Sequence, residues 1–189
     1  MIRYLFLAVG LLIAGCAEFS KFKISEDGYY RFKAHPIEVE APRKCLRQLS
    51  VDDRESSVDF TLGAGYWMAF GQYAVQVYPI PGDVKNAESF LKKTEPFAKH
   101  YIETDRESMK LNFRFKEGGP LDGFGQPAYR AIGEDPGKAI FVATFVLHRS
   151  RITIASLVYP LDERRKPVPW SCYEAFAKSV RERDSSASP

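Results

Sequence analysis

The chain has 189 residues, with 27 Lys and Arg against 24 Asp and Glu and a formal charge of +3 at pH 7. So even a balance does not make the electrostatic footprint of a nucleic-acid binder, and no nucleic-acid partner is expected. Hydrophobic residues make up 45% of the chain and aromatic residues 14%, enough to bury the core of one domain.

The first element in chain order is not a fold element. Met1-Ile2-Arg3-Tyr4 supplies one positive charge, residues 5–12 are almost unbroken apolar sequence, and Ile13-Ala14-Gly15-Cys16 brings small residues up to a cysteine. Charge, apolar run and small-residue cleavage site, in that order, define a secretory signal. A membrane-spanning helix needs about 20 apolar residues, and this run falls well short before Glu18 and Lys21. Its last four residues resemble the lipobox of bacterial lipoproteins, with Ile13 where Leu is more usual. That resemblance implies that residues 1–15 are a signal peptide, that Cys16 is lipidated, and that the membrane is a partner through this anchor. Ala17, rather than Asp, after the cysteine implies sorting to the periplasmic face of the outer membrane in the bacterial envelope. Each buried acyl methylene contributes about 0.8 kcal/mol, so several chains hold a domain without any protein span. Loss of Arg3 with the signal leaves 26 basic and 24 acidic side chains.

Residues 16–27 read as the lipidated cysteine and a polar tether, residues 28–183 as a single domain, and residues 184–189 as a polar tail. Tyr29-Tyr30-Arg31-Phe32 and Ile37-Glu38-Val39-Glu40 are short strand signals. Val58, Phe60 and Leu62 alternate with Asp59 and Thr61, which marks a strand with one buried face. Glycines at 63 and 65 turn the chain into a long apolar run, 66–78, so the two segments read as a hairpin, with a bulge suggested at Gly71. Residues 84–103 change period. Phe90, Thr94, Phe97 and Tyr101, with Leu91, Ala98 and Ile102 beside them, form an apolar stripe opposite Lys92, Lys93, Glu95 and Lys99. Asp83 or Asn86 caps this helix, and Pro96 is expected to kink or split it.

Leu111, Phe113 and Phe115 alternate into another strand, and residues 118–127 form a glycine-rich loop. Strands follow at 128–132, 139–147 and 152–159, with Glu134-Asp135-Pro136-Gly137 as a turn after the first. The last two are apolar on both faces and belong inside a sheet covered on both sides. In the final helix Ser171 and Glu174 have capping-box spacing, and Trp170 sits where a hydrophobic staple would. Tyr173, Phe176, Ala177 and Val180 make its stripe, and Arg181 and Arg183 fall in its last turn.

Strands, helix, strands, helix, with hairpin-length connections, define an α+β fold: a mainly antiparallel sheet of about six or seven strands packed with two principal helices. The order resembles the fold of the PsbP-like photosystem proteins and the DcrB-like bacterial envelope proteins. The similarity lies in the early hairpin over 58–78, the helix around Phe90 and Tyr101, the segment Gly125-Gln126-Pro127-Ala128-Tyr129, the strand pair over 139–159 and the closing helix. The resemblance carries no catalytic motif and implies an accessory, partner-binding role.

Beyond Cys16 the cysteines are Cys45 and Cys172. An exported chain meets an oxidising compartment where such a pair tends to bridge, two buried free thiols being the alternative. His35, His100 and His148 are scattered, with no Cys-x-x-Cys or His-x-x-x-His spacing, so neither a metal nor a cofactor is expected.

Catalytic motifs are absent: no Gly-x-Ser-x-Gly elbow, phosphate loop or zinc-protease helix occurs. Gly123-Phe124-Gly125-Gln126-Pro127-Ala128 has dinucleotide-fingerprint spacing, but Pro127 and the strand signal after it point to an ordinary loop. His148, at a strand end, reads as a satisfied polar residue before it reads as a base. Asp52-Asp53 and Glu134-Asp135 read as solvated turn residues, and Arg164-Arg165-Lys166 as a solvated loop. Leu121 and Phe124 are the candidate contact residues: exposed, they form a small docking site, and folded back, Phe124 covers the sheet. Tyr66-Trp67-Met68 either packs in the core or lines the mouth of an apolar cavity. The expected function is a non-catalytic binding or scaffolding module with an envelope protein as partner. A carrier of a lipid or other apolar ligand is the alternative, and a periplasmic hydrolase stands last.

Overall fold

The computed structural model describes residues 24–43, 45, 50–61, 72–104, 111–161 and 170–183. Cys16 and the rest of the signal and tether through residue 23, Leu62, the Tyr66-Trp67-Met68 segment, Gly71, Arg164-Arg165-Lys166 and the tail from 184 lie outside the described residues.

Among the described residues ten strands and two helices follow in order: β1 (Tyr29–Arg31), β2 (Ile37–Glu40), β3 (Ser50–Arg54), β4 (Ser57–Thr61), β5 (Gln72–Pro79), α1 (Ala87–Glu103), β6 (Arg114–Leu121), β7 (Ala128–Asp135), β8 (Ala139–Leu147), β9 (Arg151–Pro160), α2 (Trp170–Ser179) and β10 (Arg181–Glu182). Seven of the strands form one antiparallel sheet in the order β3-β4-β5-β9-β8-β7-β6, and β1-β2-β10 form a second, small sheet. The fold is therefore α+β, as the element order predicts, and β4 and β5 pair as the expected hairpin.

Successive strand residues point to opposite faces, and β8 and β9 use both. Phe141, Phe145 and Ile154 pack with Phe90, Ala98 and Ile102 of α1. Val142, Ala155 and Leu157 pack with Tyr173, Phe176 and Ala177 of α2 and with Phe32, Ile37 and Val39 of the small sheet. The buried Tyr173 hydroxyl binds Thr144 at 2.8 Å and donates to the Ala155 carbonyl at 2.9 Å, so this buried polar atom of α2 is satisfied.

Helix α1 is capped by Asn86. Its side chain accepts from the Ser89 N–H at 2.9 Å, while Ser89 Oγ accepts from the Asn86 N–H at 3.0 Å. The expected split does not occur: the helix runs through Pro96, which sits on the exposed face where its missing donor costs the core nothing. The buried row is Phe90, Thr94, Ala98 and Ile102, not the row containing Phe97.

Several strand boundaries also depart from expectation. Strand β3 holds Asp52 and Asp53, which therefore lie in a sheet edge, not a turn. The expected glycine-rich loop begins as strand: Gly118, Gly119, Pro120 and Leu121 end β6, an edge strand with a bulge between Phe115 and Glu117. Asp135 ends β7 and is buried, accepting from the Asn112 N–H at 2.8 Å and from Lys138 at 3.3 Å. The Asn112 bond, then Lys138, holds its carboxyl below the usual range.

Ser171 lies inside α2, and Glu174 reaches Arg130 at 3.3 Å, so these two do not form a capping box. Arg181 is not in a helical turn but in β10. There it meets the buried Glu38 of β2 at 2.7 Å, which Arg31 contacts from the other side at 3.1 Å. Arg183 donates to the Phe32 and His35 carbonyls, both at 3.2 Å. Residues 24–27, expected as tether, lie against β1: Ile24 bridges Tyr30, and Asp27 pairs with Arg31. Ser25, the Tyr29 N–H and Arg31 together lower the Asp27 carboxyl to about 2.

Candidate functional site

The sheet is seven strands wide, whereas a helix with its side chains is about 10–12 Å across and strands lie about 4.8 Å apart. Helix α1 packs on β6, β7 and β8. Where its cover ends, beside β9 and β5, an open groove of about 450 Å³ runs along its first three turns. One wall is Phe90, Thr94 and Phe97 of α1, the floor is Phe145 and Ile152, and the other wall is Tyr78, Pro79, Pro81 and Val84. Tyr78 and Phe97 belong to the exposed large hydrophobic residues, at 37% and 45%.

The groove is rigidly built. Phe97 stacks edge-on to Phe145 and tilted on Tyr101, which in turn meets Phe141 and Phe145. Gln76 Oε1 accepts from both Tyr78 at 2.9 Å and Tyr101 at 2.8 Å, tying strand to helix. The polar groups along the groove are engaged internally. Thr94 donates to the Phe90 carbonyl at 2.7 Å, and Lys93 pairs with Asp83. Pro79 and Pro81 have no N–H to offer. The arrangement can hold apolar groups, with the exposed Lys93–Asp83 pair as its charged edge.

The sequence-predicted residues fall elsewhere. Cys45 and Cys172 are bridged, with Cα atoms 6.0 Å apart, and tie the segment after β2 to the first turn of α2. Leu121 closes the edge strand β6. Phe124 is half-buried against the α2-side core with Lys178 Nζ 5.7 Å from its ring centroid, so it folds back over the sheet. No helix follows the Gly-x-Gly-x-x-Ala segment, which leads into β7. His148 is buried beside the β8–β9 turn, its Nε2 2.8 Å from Thr153 Oγ1 and its Nδ1 without a partner among the described residues. Burial lowers its pKa to about 4, against an opposing pull from Glu182. His100 is exposed on α1, and His35 lies in the β1–β2 loop. No group of three metal-ligating side chains occurs among the described residues, and no described helix is long and apolar enough to cross a membrane.

Tyr78, Pro81, Phe97 and Ile152 escaped the sequence reading because the groove is a product of sheet width and helix placement. No local signal set Phe97 apart, because in helical projection it falls beside the buried Phe90.

The chain matches no described protein family and none of the curated proteins. Solved structures do share its fold. The cyanobacterial PsbP protein CyanoP from Synechocystis sp. PCC 6803 is similar at a TM-score of 0.56 and 14% identity, over 82% of this chain and 91% of that one. A variant of the protein Mog1 is similar at a TM-score of 0.52 and 8% identity, over 84% of this chain and 96% of that one. The PsbP-like resemblance of the element order is thus matched at the level of the fold.

Proposed function

We propose that this protein is a non-catalytic binding module held at a bacterial membrane by a lipid on Cys16. The observation that carries the binding reading is the apolar groove, rimmed by the exposed rings of Tyr78 and Phe97 and with its own polar groups already paired. A concave, mostly apolar pocket is the usual form of a binding site. The packed aromatic contacts between α1 and the sheet favour docking at the surface over enclosure of a ligand. In this reading residues 1–15 are the signal peptide, 16–27 the lipidated cysteine and tether, 28–183 the domain and 184–189 a tail. The lipid, palmitate or a similar chain, confines the domain to the periplasmic face of the outer membrane and raises its effective concentration there. Leu121, with what the folded-back Phe124 ring leaves exposed, adds a second, smaller contact for the envelope partner.

The groove volume also suits a carrier of an apolar ligand, since small-molecule sites run from about 300 to 1,000 Å³. Metabolic labelling with an alkyne analogue of palmitate tests the anchor. The full chain is expected to take up label and to sediment with outer membranes, and Cys16→Ser to do neither. An unlabelled protein released with the periplasm defeats the anchored reading.

A further inference from the structure

We propose that the Cys45–Cys172 disulfide is a thiol-exchange site, opened in the folded protein by an external dithiol that attacks Cys45 and displaces Cys172. The proposal is independent of the groove beside α1. Exposure separates labile disulfides from inert ones. This bridge lies in a second open groove, of about 180 Å³, between the end of β2 and the start of α2. Both cysteines are half-buried, and with Ala41, Pro42, Ala175 and Phe176 they line the groove themselves. Ala41, Pro42 and Ala175 carry nothing long enough to lie across the sulfurs.

The surroundings also set the direction of attack. Cys172 is the third residue of α2, and the first turn of that helix holds no acidic side chain. The aligned N–H groups of a first turn favour a negative sulfur. Cys45 follows β2 in a turn, its own N–H donated to the Pro42 carbonyl at 3.0 Å. The better-stabilised thiolate is the better leaving group, so the incoming sulfur bonds to Cys45.

In the first step the thiolate of the dithiol forms a bond to Cys45 Sγ, the Cys45–Cys172 bond breaks, and its electron pair leaves on Cys172 Sγ. In the second, the other sulfur of the dithiol, having lost its proton, attacks its partner in the mixed disulfide and expels Cys45 as a thiolate. The dithiol is oxidised by two electrons to a cyclic disulfide, and its two protons pass to the cysteines.

The opening is local. Tyr173, Phe176 and Ala177 stay buried against the sheet. Ser179 Oγ still accepts from the Glu40 N–H at 3.1 Å, and Glu174 still meets Arg130 at 3.3 Å. Reduction therefore frees the segment after β2 from the start of α2 while the helix keeps its place.

The test follows thiol kinetics on the full oxidised chain without denaturant. Neutral reagents are used because Glu40 is the charged residue among the described ones that line the groove. Dithiothreitol is expected to reduce the bridge at a rate linear in its concentration and within about tenfold of that for a small-molecule disulfide, with far-UV helicity retained. A rate that levels off at the rate of global unfolding, measured separately in urea, overturns the proposal. So does loss of helicity on reduction. Mercaptoethanol, quenched with acid and mapped by mass spectrometry, is expected to leave its adduct on Cys45 and a free thiol on Cys172. An adduct on Cys172 instead overturns the assigned direction.

Discussion

The Phe97 ring meets the Phe145 ring edge-on, with centroids 5.9 Å apart and planes at 77°, yet Phe97 is 45% exposed while Phe145 is almost wholly buried. One aromatic pair thus spans the boundary between core and contact surface. The two partners should respond differently to truncation. Phe145→Ala removes a filled core position and is expected to cost about 3–5 kcal/mol. Phe97→Ala should cost about 1 kcal/mol or less while abolishing most groove affinity. Urea unfolding of both variants, beside capture of envelope protein in native membranes, separates the roles.

Cys45 and Cys172 close a loop with a sequence separation of 127. The chain-entropy treatment gives such a bridge about 4–5 kcal/mol, by restricting the unfolded chain. Denaturation with and without reductant should show a midpoint shift of that order for the native protein and none for Cys45→Ser with Cys172→Ser. An unchanged midpoint on reduction would mean that α2 packing alone holds the segment after β2.

A methyl group at Gly133 would run into the Ile102 side chain, because α1 lies directly on the β7 backbone there. Gly133→Ala is expected to destabilise by about 1–3 kcal/mol through overpacking. Shortening the opposing side chain in Gly133→Ala with Ile102→Ala should recover part of that loss relative to the sum of the single variants, a coupling visible in a double-mutant cycle. Strict additivity would contradict the contact.

His148 makes stability depend on pH in a defined window. Its pKa is about 4 in the fold against 6.5 as the ordinary value, chiefly through burial. The unfolded chain therefore gains a proton below pH 6.5 that the native protein does not take until about pH 4. Its contribution is fully present above 6.5, is lost as pH falls through this window, and levels off below 4. The loss is up to about 3 kcal/mol. Asp27 and Asp135, with lowered pKa values, lose their contributions at lower pH, through the carboxylate range. Urea midpoints from pH 7 to 4 should fall for the native protein and flatten in His148→Gln. A native midpoint independent of pH across this range would contradict the buried neutral ring.

Local chemistry carried much of the fold into view. The period of α1, the two-sided apolar runs of β8 and β9 and the pairing of two cysteines each rest on residues close in sequence or few in number. Strand β3, with Asp52, Asp53 and Arg54, carries the charges that suit a sheet edge and so shows no hydrophobic period. Strand β10 is two residues long and exists because Glu38 and Ile37 receive it. The groove was invisible for a different reason. Phe97 looks like core in any helical projection, and only the position of α1 across a seven-stranded sheet leaves it at the margin.

The most direct measurement places a photo-crosslinking residue at Phe97 in the full chain, within its native membranes, with Glu88 on the opposite flank of α1 as the control position. The account predicts a protein adduct from position 97 and none from 88. A lipid adduct at 97, or the same protein captured equally from both positions, would contradict it.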